Sequence, residues 1–223
     1  MSQYPTLPMP IYFSTLRNRL LQRLSRLDNG FDRQALVPTA KRTIDRFALQ
    51  EGLMSALWQA WCVYCRDIVI GSAAGAITTS GNLTSSIYCG RTTEEIAYVA
   101  ARYASSKAVT TIQPISAMRK EPTWGDVTKL NLIINGINPT NRANLFSGIA
   151  GISLIKDLQL FRNASAHVNI ETIADVKNSR VRYDETNFRH PSDTMFWVDP
   201  KTKDYLWKSW LEEIDLVSDF ISK

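Results

Sequence analysis

Histidine is nearly missing from this sequence: His167 and His190 are the only two in 223 residues. Cysteine is also sparse. Cys62-x-x-Cys65 has a spacing used in zinc and redox sites, but there is no second pair, and Cys89 stands alone. A four-ligand zinc site is therefore not expected. Cys62 and Cys65 also fall in an apolar run with Trp58, Trp61, Tyr64 and Ile68, where core thiols are the simpler reading. We expect reduced thiols, no structural metal, no cofactor and a cytoplasmic protein. No stretch approaches the ~20 apolar residues of a membrane span. The Met-Ser-Gln-Tyr-Pro start lacks the charged region and apolar run of a secretory signal, so the glycosylation-like triplets at Asn82 and Asn163 carry no weight. A phosphate-cradling glycine loop, a nucleophile elbow and a zinc-hydrolase helix are all lacking, which disfavours P-loop nucleotide hydrolases, kinases, serine esterases and zinc proteases. No internal repeat or low-complexity tail is seen.

What is present begins with charge. The chain carries a net +5, and residues 1–50 hold eight basic and three acidic groups, a surplus equal to the whole net charge. A basic region of this kind suits an anionic partner or a solvated helix face. Arg17, Arg19, Arg23 and Arg26 are the candidate RNA or phosphate contacts there. Arg66 is a further one, although its neighbour Asp67 makes a structural ion pair the preferred role. An apolar share of 44% is enough to fill a core.

Periodicity predicts a mainly α protein, a helical bundle. Residues 1–39 read as a proline-bearing arm (1–13) followed by a basic amphipathic helix with Leu16, Leu20, Leu24 and Leu27 inward. Residues 40–223 read as the main helical domain. A long helix is expected over 40–73, with Gly52 as a kink point, and a flexible Gly/Ser/Thr-rich loop over 71–90. Thr92 and Glu95 form a capping box, Thr123 is taken as the next cap, and Pro139-Thr140-Asn141 as the start of another helix, which Gly148 and Gly151 weaken. Val181-Arg182-Tyr183 and Met195-Phe196-Trp197-Val198 read as a small β-hairpin near residues 181–198. A last amphipathic helix, 203–222, closes the domain, and the six tryptophans read as core.

The richest segment is residues 160–167, Leu-Phe-Arg-Asn-Ala-Ser-Ala-His. On a helix from about 151 to 167 or beyond, Leu154, Leu158, Phe161 and Val168 form the buried stripe, and Ile155, Leu160 and Ile170 lie off it. Asn163 and His167, four apart, share the opposite side, and Arg162 lies between. Histidine moves protons near neutral pH, arginine grips phosphate, and asparagine orients the imidazole or bonds a phosphate oxygen. Those roles serve RNA cleavage by the ribose 2′-OH without a metal. The step needs a base and an acid, yet one chain offers one suitable histidine. A two-fold dimer supplies two. His190, before Pro191, reads as a surface residue.

Arg162-Asn163-x-x-x-His167, late in a helix of a helical domain, resembles the HEPN superfamily, whose hallmark is an arginine, four to six residues and a histidine, often with a polar residue after the arginine. The resemblance covers roughly residues 40–175. It implies a homodimer with facing motifs and metal-independent endoribonuclease activity, with Arg162 and His167 catalytic and Asn163 supporting. It also implies RNA as substrate, a toxin or phage-defence setting, and an antitoxin or regulatory protein as partner. The same resemblance admits a catalytically inactive nucleotide- or RNA-binding module, or a protein-interaction adaptor.

Overall fold

Eight α-helices carry the structure, a computed structural model that describes residues 11–36 and 43–223. Most of the expected proline-bearing arm and the expected helix start at residue 40 lie outside these residues. Helix α1 (Phe13–Gly30) buries Phe13, Leu20, Leu24 and Leu27 and leaves Arg19, Arg23 and Arg26 exposed, as leucines at four- and three-residue intervals dictate. A π-helical turn (Phe31–Ala35) prolongs it and sets the Phe31 ring parallel to Trp207, with centroids 5.3 Å apart. Helix α2 (Thr43–Ala74) runs through the middle of the fold and buries residues on several faces, Met54, Trp58, Trp61 and Ile68 among them. Gly52 does not interrupt it.

Helix α3 (Thr93–Ala104) starts on the expected capping box: Thr92 Oγ1 accepts from Glu95 N at 3.3 Å, and Glu95 Oε2 accepts from Thr92 N at 3.0 Å. Helix α4 (Val127–Ile137) is capped by Asp126, not by Thr123. The intervening residues are committed elsewhere. Trp124 is buried, and the Gly125 carbonyl accepts from Trp61 Nε1 at 3.2 Å. Helices α5 (Arg142–Ala150), α6 (Leu154–Ala166), α7 (Ile170–Ser179) and α8 (Leu206–Ile221) complete the bundle. One hydrophobic core includes residues of α1 to α8, and all six tryptophans lie in it.

Three local expectations change. The hairpin near 181–198 shrinks to single antiparallel bridges, Asp184 with Val198 and Val198 with Tyr205. Its two halves are instead 3-10 turns, Arg180–Arg182 and Pro191–Phe196. The run of residues from Met195 to Trp197 is apolar because the core surrounds it, with Met195 and Trp197 fully buried, not because alternate residues face a sheet. The loop after α2 is tied down. A short parallel pairing joins β1 (Ile11–Tyr12) to β2 (Ala76–Ile77), and buried Thr84 Oγ1 accepts from Ala76 N at 2.8 Å. His190 is mostly covered rather than a surface group. Its ring stacks on Phe47, with centroids 4.7 Å apart, and its Nε2 sits 3.2 Å from Glu51 Oε1.

Gly148 has a packing reason absent from helix propensity. A Cβ there would lie 2.2 Å from Ile221 Cγ2, so glycine lets α5 approach the end of α8. A Cβ at Gly52 meets nothing within 4 Å. Gly148→Ala is therefore expected to lower stability by about 1–3 kcal/mol through overpacking. Gly52→Ala is expected to raise it by about 0.5–1 kcal/mol through helix propensity. Urea unfolding of the two variants beside the parent chain checks both signs.

Candidate functional site

The rotation of α6 about its axis places every side chain of the motif. Phe161 is fully buried, with ring centroids 5.4 Å from Trp197, 6.1 Å from Trp210 and 6.4 Å from Tyr183. With Phe161, Leu158 and Ile155 inward, Arg162 and Asn163 turn toward the periphery and are half-buried. The helix is anchored at its start by a long-range cap. Glu213 of α8 accepts from the amides of Ser153 at 3.1 Å, Leu154 at 3.2 Å and Ile155 at 2.6 Å. A carboxylate at this helix end satisfies orphan N–H groups and matches the helix dipole. Further along, Asp157 accepts from Arg182 at 2.6 Å and from the Tyr183 hydroxyl. Burial, then the neighbouring carboxylate, pushes the Tyr183 hydroxyl well above its ordinary range, so it remains a donor.

Helix α6 stops one residue before His167. His167 is its C-cap, at φ −136° and ψ 67°, and its N–H still donates to the Asn163 carbonyl at 2.9 Å. The helical wheel therefore does not extend to this residue. Asn163 and His167 are joined through the backbone, and among the described residues no hydrogen bond links the His167 ring to Asn163 or Arg162. Asn163 instead binds its neighbour: Arg162 Nη1 donates to Asn163 Oδ1 at 3.2 Å. Arg162 Nε is buried without a hydrogen-bond partner among the described residues.

Two residues that sequence reasoning passed over fix His167 from its other side. Its carbonyl accepts from Thr172 Oγ1 at 2.9 Å and from Asn169 Nδ2 at 3.2 Å. These two also form the capping box of α7, in which Asn169 Oδ1 accepts from Thr172 N at 3.0 Å. Asn169-x-x-Thr172 was a usable signal in the sequence, a cap immediately behind the histidine. The result is a pinned backbone under an exposed imidazole. Because the helix ends first, Val168 does not join the buried stripe, where Ile155 stands instead: Val168 is 59% and Ile170 90% exposed, an apolar surface directly beside the motif.

Arg162 also reaches toward α2. Its positive charge acts on the Cys62 thiol, whose pKa burial nevertheless pushes up to about 11. Cys65, fully enclosed, is raised well above the ordinary value by the same cause. Neither is a ready nucleophile or metal ligand, and among the described residues no cluster of three His, Cys, Asp or Glu side chains could hold a metal ion.

The other candidate arginines divide into two groups. Arg17 holds Asp215 at 2.6 Å, with Asp219 at 3.9 Å. Arg66 makes a two-pronged bond to Glu121 at 2.7 and 2.9 Å and lies 3.5 Å from Asp67. Both thus have structural partners, as preferred for Arg66. Arg19, Arg23 and Arg26 face solvent on one side of α1.

A second constellation has the composition of a catalytic triad. Ser192 Oγ lies 2.9 Å from His190 Nδ1, whose other nitrogen meets Glu51. Ser192 is fully buried, however, and no substrate could reach its oxygen. Gln50, with its amide turned to accept from Arg46 Nε at 3.0 Å, donates to Ser192 Oγ at 2.8 Å. The group ties α2 to the 3-10 turn and is structural.

Compared with protein families, curated proteins and solved structures, the chain matches none. Among the described residues no helix is long and apolar enough to cross a membrane.

The burial pattern sets the order of thiol reactivity. Exposed Cys89 is expected to react first with a disulfide reagent in the folded chain at pH 8, half-buried Cys62 with its raised pKa much more slowly, and buried Cys65 only on unfolding. Mass mapping of the labelled residues with and without denaturant checks this order.

Proposed function

We propose that the chain is a metal-independent endoribonuclease of HEPN type, working as a homodimer in the cytoplasm. The observation that carries the reading is the end of α6, where an exposed His167 on a pinned backbone stands between the Arg162–Asn163 pair and the bare apolar residues Val168 and Ile170. An exposed proton carrier five residues from an arginine at the same helix end suits phosphate chemistry. The apolar border suits coverage by a second copy, which would bring the second histidine that the reaction needs.

In that assembly one His167 takes the proton from a ribose 2′-OH. The 2′-oxygen forms a bond to the adjacent phosphorus, and the bond from phosphorus to the 5′-oxygen breaks. The other His167 delivers a proton to the leaving 5′-oxygen. The products are a 2′,3′-cyclic phosphate and a 5′-hydroxyl, and no oxidant or metal enters the balance. The two Arg162 side chains hold the phosphate and offset its developing charge. Asn163 holds its neighbouring Arg162 until RNA replaces that contact. A toxin or phage-defence role, with a restraining protein partner, follows from the same reading.

One feature favours the second reading, an RNA-binding module without cleavage. The Arg162 guanidinium is folded onto Asn163 and toward Cys62, with Nε inside. Cleavage decides between the two. The purified chain is expected to cut RNA in chelator and leave 2′,3′-cyclic ends, and His167→Ala is expected to slow this by about 10²–10⁴-fold. Ile170→Glu is expected to yield monomers and a comparable loss of cleavage. RNA binding with no cleavage would select the second reading, and an undiminished rate from His167→Ala would remove the motif from the chemistry.

A further inference from the structure

Two cavities run into one another along the seam between α1 and α2. One, of about 360 Å³, has Leu16, Leu20, Ala60 and Val63 in its walls. The other, of about 540 Å³, extends toward Ile11, Tyr12 and Ile70. They share Leu16, Arg19 and Asp67. The groove surface is more apolar than polar, and its rim exposes Ile11, Tyr12 and Val63 to 39%, 47% and 46%.

Its charge is unbalanced. Arg19 and Arg23 line the groove from α1, and Arg26 follows on the same side of the helix. None of the three has a carboxylate within salt-bridge distance among the described residues. By contrast, Arg17 holds Asp215, Lys208 holds Asp28 at 2.5 Å and Asp32 at 2.7 Å, and Arg66, itself in the groove wall, holds Glu121. The one acid lining the groove, Asp67, lies 3.5 Å from Arg66 and also feels the charge of Arg19 from beyond ion-pair distance. An aliphatic trough bordered by free arginines is complementary to an amphipathic segment with aliphatic residues on one side and acids beside them.

Other occupants fit less well. Single-stranded RNA gains from successive aromatic platforms on which bases stack, but of the two tyrosines lining the groove Tyr64 is buried and only Tyr12 is exposed, at one end, and Asp67 would face the phosphates. Residues 1–10 of this chain are close in sequence, yet contain no acidic residue.

We propose that the α1–α2 groove is a docking site for an acidic amphipathic segment, about three helical turns long, of a partner protein. This goes beyond the ribonuclease reading and does not depend on it. Arg19 and Arg23 receive the acidic border of the segment, and Leu16, Leu20 and Val63 receive its aliphatic side.

The probe is a fluorescent 14-residue peptide, helical by design, with leucines spaced three and four apart and flanked by glutamates. A control peptide has lysine in place of every glutamate. With the full chain, the acidic peptide is expected to bind with a micromolar Kd, and the lysine peptide at least tenfold more weakly. Arg19→Glu with Arg23→Glu is expected to weaken the acidic peptide at least tenfold and restore the lysine peptide. Val63→Glu is expected to abolish both. These residues are at the surface, and unchanged thermal melting separates the effect from misfolding. Equal binding by the charge-reversed chain overturns the proposal. So does a tenfold gain on removing residues 1–10, which would make that segment the occupant. Displacement of the peptide by a 12-nucleotide uridine RNA whose own binding needs Arg19 and Arg23 also overturns it, in favour of RNA. None of these readouts uses cleavage, so the proposal and the ribonuclease reading fail separately.

Discussion

The burial of Phe161 among Trp197, Trp210 and Tyr183 is the contact on which the site depends. An α-helix turns about 100° per residue, so fixing one large ring fixes the direction of the next two side chains. Arg162 and Asn163 are those two. The aromatic cluster is assembled from α6, α8 and the segment between α7 and α8, so the motif's direction is set by chain far from it in sequence. Loss of this ring would cost about 3–5 kcal/mol by analogy with other large core truncations, and the rotation of α6 would go with it.

The ends of α6 are held by different means, and the difference matters for chemistry. Glu213 grips the first turn through three amides, whereas Asn169 and Thr172 hold the carbonyl of His167 at the far end. Both devices restrain backbone and leave the imidazole untouched. On the proposed ribonuclease reading, His167 as a proton carrier needs a fixed base and a ring that can accept a new partner, and a backbone held in this way is ordered without any bound group.

Much of the bundle was legible because its signals are local. The leucine spacing of α1, the Thr92–Glu95 box and the stripe of α8 each give a helix from neighbouring residues alone. Errors arose where tertiary burial overrode local pattern. Met195 and Trp197 suggest a strand by composition, yet the core encloses them at the end of a 3-10 turn capped by His190, Met195 within it and Trp197 just after it. Thr123 is a good cap residue, but burial of Trp124 and the Trp61–Gly125 bond delay the helix to Asp126. At the site, the identities of Arg162, Asn163 and His167 were visible, and their mutual geometry was not. The end of α6 falls at His167 because the Asn169 cap of α7 competes for the chain there, and a cap two residues beyond a helix is easily read as its continuation. Glu213 lies about sixty residues from the amides it caps, so no local pattern points to it.

The charge of the chain acquires a structural explanation. The N-terminal surplus is partly matched across the fold, with Arg17 against the acids of α8 and Lys208 of α8 against Asp28 and Asp32. These exchanges dock α1 onto α8 and consume charges of both signs. Among the described residues Arg19, Arg23 and Arg26 of α1 have no ion-pair partner; they lie on its opposite border, and Arg19 and Arg23 line the groove it forms with α2. Helix α2 separates that groove from the motif. Val63 faces the groove, while Cys62, one residue earlier and so about 100° around the axis, lies within the field of Arg162. The two surfaces share a helix but no side chain. A segment lying in the groove would leave His167 exposed, and any influence on the motif would have to pass through the packing of α2 against α6.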